Sequence, residues 1–281
     1  MTPKLQILSA EKRLMLAEQV NDLLPADKKK LIELINLEIS DSLQGVYSDV
    51  SSAVYHHPLC PGFSFSSIKE ASRSVVHFLL SQKWESPEMK LGSAFHTLIL
   101  EPHLFDEQYP SKSLSADQLK SLKSMYLALV SHKNFDTLFN SNSKKLIENT
   151  FFAKCPVTSL WRKVRPDTAI LDRALIDIKT TGAKTDSEYV SNASTYKYEG
   201  QMAYYLDTAA LLGFKFPETY HVVVKRIEPF DVSIFTYDQT YLDAGAQYYM
   251  LGLEKIANLI NTNSNYSSNE ILRIAKRGAR V

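Results

Sequence analysis

The sequence predicts an α/β fold, a central mixed β-sheet flanked by helices, with a helical extension at the N-terminus. Two observations predict it. Helical periodicity dominates the chain up to about residue 139, and strand-like apolar runs then gather at 146–180 and 219–237 with a helix between them. A meander of close-spaced strands, a helix and further strands give a mixed sheet in an α/β sandwich. The core can be sizeable, because 44% of the 281 residues are hydrophobic and 15 Tyr and 13 Phe are among them.

The elements follow in order. Leu14, Leu16 and Val20 mark a helix over 9–24, and Leu31, Leu34, Ile35 and Ile39 a second over 26–45, entered after Pro25. Lys28, Lys29 and Lys30 open that helix, as a solvated end or a contact for DNA or a partner. Residues 46–63 lack periodicity and read as a linker ending in His56-His57-Pro58; the two histidines have no acid nearby in sequence and are not assigned a metal. Ser64-Phe65-Ser66 caps a helix to about Gln82, and further helices run from Met89 to Leu100 and over 115–139. Strands are expected at Leu146–Lys154, from Lys163 towards Asp167, and at Ala174–Thr180, with Asp172-Arg173 as a turn. A helix over 198–212, strands 219–227 and 231–237, and a long helix 239–261 complete the pattern. Three units are expected: a helical extension 1–58, a core 59–265 and a basic tail 266–281 carrying Arg273, Lys276, Arg277 and Arg280.

Composition excludes several classes. A formal net charge of +1 rules out a polybasic coat, so nucleic-acid binding must rest on local clusters. Two cysteines, Cys60 and Cys155, cannot build an iron–sulfur cluster or an all-cysteine zinc site, and buried free thiols are expected. The start has no apolar signal region and no run approaches the roughly 18 residues of a membrane span, so a cytoplasmic protein is expected.

The chemistry concentrates in Val164–Lys179. Asp177 and Lys179 are two apart on a strand and share a face, with Ile178 turned into the core. Pro166-Asp167 lies ten residues earlier, a gap that lets a hairpin set the two acids side by side. Two carboxylates can hold a hard divalent cation, and the lysine can orient water or offset phosphate charge. His96, in an apolar helix with Gly92 four residues before it, is a third candidate ligand; its imidazole would make Mn2+ a good substitute for Mg2+. Gln201 and Tyr205 share a helix face after this strand, where Gln201 could hold phosphate or water. Lys69, Arg73, Lys83 and Tyr205 are candidate DNA contacts. Arg165 could touch DNA or form a salt bridge. Glu148 is a possible supporting acid, with surface placement favoured.

Ser64–Lys69, Leu91–His96, Leu100-Glu101-Pro102, Val164–Asp167, Asp177–Thr181, Gln201–Tyr205 and Val222–Tyr237 together, in this order and spacing, resemble the PD-(D/E)xK nuclease superfamily. The likeness covers roughly residues 63–260 and is greatest to the RecE-type exonuclease branch, related to phage lambda exonuclease. The resemblance implies a restriction-endonuclease-like core. It implies that His96, Asp167, Asp177 and the Ile178 carbonyl bind Mg2+, that Lys179 is the catalytic lysine and that Gln201 supports the active site. It also implies digestion of linear double-stranded DNA from its ends, 5′ to 3′, by a ring-shaped homo-oligomer serving phage-type recombination. Residues 1–58 do not align with that core; they are a structural cap or a recruiting surface for a partner such as a single-strand annealing protein. The competing readings are an endonuclease on the same scaffold and a catalytically silent DNA-binding or assembly protein. The full set of Asp, Asp, Lys and His argues against the silent protein.

Overall fold

A computed structural model of the chain describes residues 5–80, 86–111, 113–140 and 142–263. Helices α1 (Ala10–Ala17) and α2 (Pro25–Ile39) open it, α1 capped by the Ser9 hydroxyl and α2 entered through proline, whose missing N–H costs nothing in the first turn. Lys30 is buried on α2 and paired with Glu33 and Asp49, so this lysine is not part of a solvated end. The expected linker 46–63 is structured. It holds most of strand β1 (Gly45–Tyr47), all of helix α3 (Ser52–His56) and the buried side chains of Leu59, Cys60 and Phe63.

The helix expected up to Gln82 is broken at Ser74 into α4 (Phe65–Arg73) and α5 (Val75–Leu80). Ser74 is extended, and its hydroxyl accepts from the His77 N–H to start the second piece. Helices α6 (Pro87–Leu100), α7 (Phe105–Gln108) and α8 (Ala116–Val130) follow, α8 fixed by a capping box between Ser115 and Gln118. The expected helix 115–139 therefore stops early, and a π-helical turn occupies Asp136–Asn140.

The strands are β2 (Lys145–Ile147), β3 (Thr150–Lys154), β4 (Trp161–Val164), β5 (Thr168–Ile170) and β6 (Ala174–Thr181). Helices α9 (Asp186–Tyr196) and α10 (Tyr198–Ala210) lead to β7 (Glu218–Lys225), β8 (Val232–Phe235) and the long α11 (Gln239–Asn263). A five-stranded sheet has the order β2-β5-β6-β7-β8, and within it only β6 and β7 are parallel. That parallel pair needs a long crossover, which α9 and α10 supply. A second, antiparallel sheet has the order β1-β3-β4. The single strand expected at 146–154 is thus two strands in two sheets, divided at Glu148, whose φ is +53°.

Apolar packing orders the layers. On one face of the large sheet, Leu91 and Phe95 of α6 and Leu122 and Met125 of α8 cover Ile176, Ile178, Val222 and Val224. On the other, α4, α10 and α11 bring Phe65, Ile68, Met202, Tyr204 and Leu253 over Ala169 and Leu175. A third cluster joins Leu31, Leu34, Ile35 and Val54 to Phe152 and Trp161 of the small sheet. Both cysteines are free and buried. No described helix is long and apolar enough to cross a membrane. Lys83 and the basic residues of the expected tail 266–281 lie outside the described residues.

Candidate active site

The β5–β6 hairpin places the two acids. Thr168 pairs with Ile176, and one step further along the register Asp167 lies opposite Asp177. Asp172 closes the turn with φ of +58°, a conformation Asp tolerates better than most residues. Both carboxylates are buried, Asp177 to 2% exposure. The Ile178 N–H donates to Asp167 Oδ2 at 2.5 Å. Lys179 Nζ is 2.5 Å from Asp177 Oδ2, while Ile178 points into the opposite core, as the alternation along β6 predicts.

Helix α6 adds the histidine. A Cβ on Gly92 would lie 3.1 Å from Thr180 Oγ1, so glycine lets α6 settle against β6. His96 Nδ1 then stands 3.4 Å from Asp167 Oδ1. Glu148 completes the group, contrary to the expected surface placement. Its left-handed backbone turns it back onto Asp167, whose carbonyl accepts from the Glu148 N–H at 3.2 Å. Ligand atoms of His96, Glu148 and Asp167 all lie within 4.8 Å of one another.

The electrostatics of this cluster are those of crowded acids. Burial and the neighbouring Asp167 charge push the Glu148 carboxyl up to about 8. Burial alone would lower His96, but the Asp167 carboxylate pushes it up to about 9. Burial works against the Asp167 charge, yet His96, Lys179 and the Ile178 N–H together hold its pKa below the usual value. Burial raises Asp177 to about 6 despite Lys179 beside it. One imidazole and two carboxylates that repel each other form a donor set that a divalent cation would relieve and that suits Mg2+ or Mn2+. Asp177, expected among the ligands, adjoins this trio and is paired with Lys179; Gln201 Nε2 lies 3.4 Å from its Oδ1.

Other expected contacts land differently. Tyr205 is largely buried at the wall of the cleft, and its hydroxyl accepts from Gln201 Nε2 at 2.7 Å and steadies it. Arg165 is committed inward: its guanidinium donates to the Val50 carbonyl and Thr150 Oγ1 and stacks 4.5 Å from the Tyr55 ring centre. Among the described residues it forms no salt bridge; it fastens α3 to the sheet while still lining the cleft of the acids. Lys69 faces the same cleft as the acids, and Arg73 is exposed on α4. That cleft encloses about 1330 Å³ and has His96, Glu148, Asp167, Lys179 and Gln201 on its walls.

Two residues that sequence reasoning did not single out belong here. Tyr198 places its ring centre 4.9 Å from Lys179 Nζ. His221 lies beside Asp177 in the parallel register, with Nε2 3.7 Å from Asp177 Oδ2. Burial, with Lys179 nearby, pushes its imidazole down to about 3 and keeps it neutral. The Tyr189 and Tyr237 hydroxyls reach His221 Nδ1 at 3.4 and 3.3 Å. When they donate, the ring proton sits on Nε2, towards Asp177.

A PD-(D/E)xK-like core with this site has known relatives. The family profile described as "PDDEXK-like domain of unknown function (DUF3799)" matches residues 64–271, and the chain belongs to that family. The fold is shared with a crystal structure from Eubacterium rectale described as a "Putative exonuclease", at a TM-score of 0.62 and 13% identity over 76% of this chain and 87% of that one. The crystal structure of SSO0001 aligns over 66% of this chain and 84% of that one at 15% identity, but its TM-score of 0.29 is too low to bear on the fold. No curated protein matches the chain.

Proposed function

We propose that this protein is a divalent-metal-dependent deoxyribonuclease that hydrolyses linear double-stranded DNA from its ends. The observation that carries this reading is the His96–Glu148–Asp167 cluster and Lys179 on one cleft, with Asp177 buried behind Lys179 and paired to it. His96, Glu148 and Asp167 would hold the cation, with Asp177 and the Ile178 carbonyl beside them; Mg2+ is the expected ion and Mn2+ a substitute. Bound there, the cation supplies positive charge to the phosphate and acidifies water.

The protein's own groups do the rest. Burial opposes the Lys179 charge, but Asp177 raises its pKa, so it meets substrate as an ammonium. Its N–H groups orient the attacking water and offset charge growing on the phosphate. Asp177 fixes Lys179 in place, and Gln201, steadied by Tyr205, fixes Asp177. The RecE-type likeness supports 5′ to 3′ digestion by a ring-shaped homo-oligomer in phage-type recombination in the bacterial host cytosol, alongside a single-strand annealing protein. A ring would keep hold of DNA without a strongly basic monomer.

The test is incubation with linear and covalently closed circular duplexes under Mg2+, Mn2+ or EDTA, beside Asp177→Ala and Lys179→Ala. Metal-dependent loss of the linear DNA alone, absent in both variants, is the expected outcome. Cutting of the circle would replace the exonuclease with an endonuclease. Wild-type rates in both variants would remove the assigned site, and no digestion of either substrate would leave a silent DNA-binding protein.

A further inference from the structure

We propose that Tyr196 is a nucleobase platform, stacking an unpaired base of the DNA strand whose phosphate lies at Lys179. The proposal extends the nuclease reading and rests on it. Tyr196 is the last residue of α9 and opens into the same cleft as Asp167 and Lys179, with its side chain 51% exposed. A single exposed tyrosine is ordinary. What distinguishes this one is the series it belongs to. Lys179 Nζ lies 4.9 Å from the Tyr198 ring centre, the Tyr198 and Tyr196 rings are 5.8 Å apart at 30°, and Lys69 Nζ lies 6.0 Å from the Tyr196 ring. Cation, ring, ring and cation thus lead from the reacting centre towards Lys69 on α4.

Local backbone sets this up. Lys197, between the two tyrosines, is left-handed at φ +62°, a costly conformation for a residue with a side chain, and it forms the tight junction from α9 into α10. Among the described residues no carboxylate lies within ion-pair distance of Lys69; the neighbouring Glu70 acts on it only at longer range. Burial lowers the Lys69 pKa, Arg73 and Lys179 lower it further, and Glu70 offsets them only in part. A phosphate would give Lys69 a close anionic partner, and the adjacent ring would take the base attached to it. Alternating cations and aromatic faces are how single strands are held without sequence preference. Bases inside a duplex are already stacked on one another, so the platform serves a frayed or unpaired end.

The experiment uses the full chain and oligonucleotides bearing 2-aminopurine at successive positions from the end, either single-stranded or in a blunt hairpin. Binding is followed by fluorescence in EDTA, and hydrolysis separately in Mg2+ and Mn2+. Wild-type protein should quench the probe at one or two positions of the single strand and not within the blunt duplex. Tyr196→Ala should abolish that quench and weaken single-strand binding roughly tenfold or more, while Tyr196→Phe keeps both. Equal quench and affinity in Tyr196→Ala and wild type overturn the platform, even if the enzyme cuts DNA. A Tyr196-dependent quench without hydrolysis in either metal upholds the platform and overturns the nuclease reading instead. An unchanged melting temperature in Tyr196→Ala excludes misfolding as the cause.

Discussion

Glu148 separates metal binding from the rest of the chemistry at the residue scale. It lies within the His96–Asp167 cluster, whereas Lys179 is ion-paired with Asp177. Glu148→Gln should therefore weaken Mn2+ binding roughly tenfold or more by calorimetry. Lys179→Ala should leave Mn2+ binding near wild type yet slow cleavage by about 10²-fold or more. Equal Mn2+ affinity in Glu148→Gln and wild type would remove Glu148 from the ligand set. The same cluster sets a pH dependence in the metal-free protein. His96 rises from 6.5 to about 9 on folding and Glu148 from 4.5 to about 8. A group whose pKa is raised stabilises fully below its unfolded value and loses that contribution as pH climbs through its folded value. Both groups therefore act in one direction. The melting temperature in EDTA should fall between about pH 4.5 and 9, most steeply between about 6.5 and 8 where both groups act, by an amount on the order of a few kcal/mol in stability, and His96→Ala should flatten the upper part of the fall. Asp167, Asp177 and Lys179 were legible in the sequence because hairpin spacing and strand alternation are local rules. Glu148 was hidden by a left-handed turn inside an apparently continuous strand. His221 was hidden because Tyr189 and Tyr237, which meet it, come from elsewhere in the chain. The inward partners of Arg165, Val50 and Thr150, were hidden for the same reason.

At the scale of elements, the decisive contacts are those where α11 crosses α4 and α10. A Cβ on Gly252 would run into the Ile68 carbonyl and the Ser72 hydroxyl, and one on Gly245 would come within 2.6 Å of the Glu199 carbonyl. Backbone cannot yield as the end of a side chain can, so Gly252→Ala should destabilise by about 1–3 kcal/mol or more in chemical denaturation. The exposed Gly213, with nothing within 4 Å of its would-be Cβ, suffers only its φ of +85° and makes a milder control. A Gly252 variant as stable as wild type would mean that α11 packs more loosely than these distances allow. Helices with an apolar stripe, α2, α6, α8 and α11, were readable from periodicity. Helix α9 was not, because its eleven residues are mostly polar and only Tyr189 and Ala193 are buried. The same crossover explains the parallel β6–β7 pair of the large sheet, which a reading strand by strand does not disclose.

At the scale of the whole molecule, the mixed sheet between helical layers was legible and the small sheet was not, since β1 and β3 are about a hundred residues apart in sequence. That sheet ties residues 5–60 to the nuclease-like core. Phe152 and Trp161 are covered by Leu31, Leu34, Ile35 and Val54, the buried Lys163 donates to the Tyr55 carbonyl, and Arg165 donates to that of Val50. We propose on this ground that the layer of residues 5–58 caps the core. Each large apolar side chain in this cluster contributes on the order of 1.5–3 kcal/mol by burial, and several lost together match the whole stability of a typical domain, about 5–15 kcal/mol. Removal of 1–58 should thus yield insoluble protein, or protein without a cooperative melt, rather than a smaller nuclease. A truncated chain that melts cooperatively within a few degrees of the full one would show that the layer is dispensable for folding, and its exposed Met15 and Leu16 would then be better explained as a partner's docking face. Trp161→Ala in the full chain gives an independent check: it leaves both layers present, and it should cost about 3–5 kcal/mol if the two share one core.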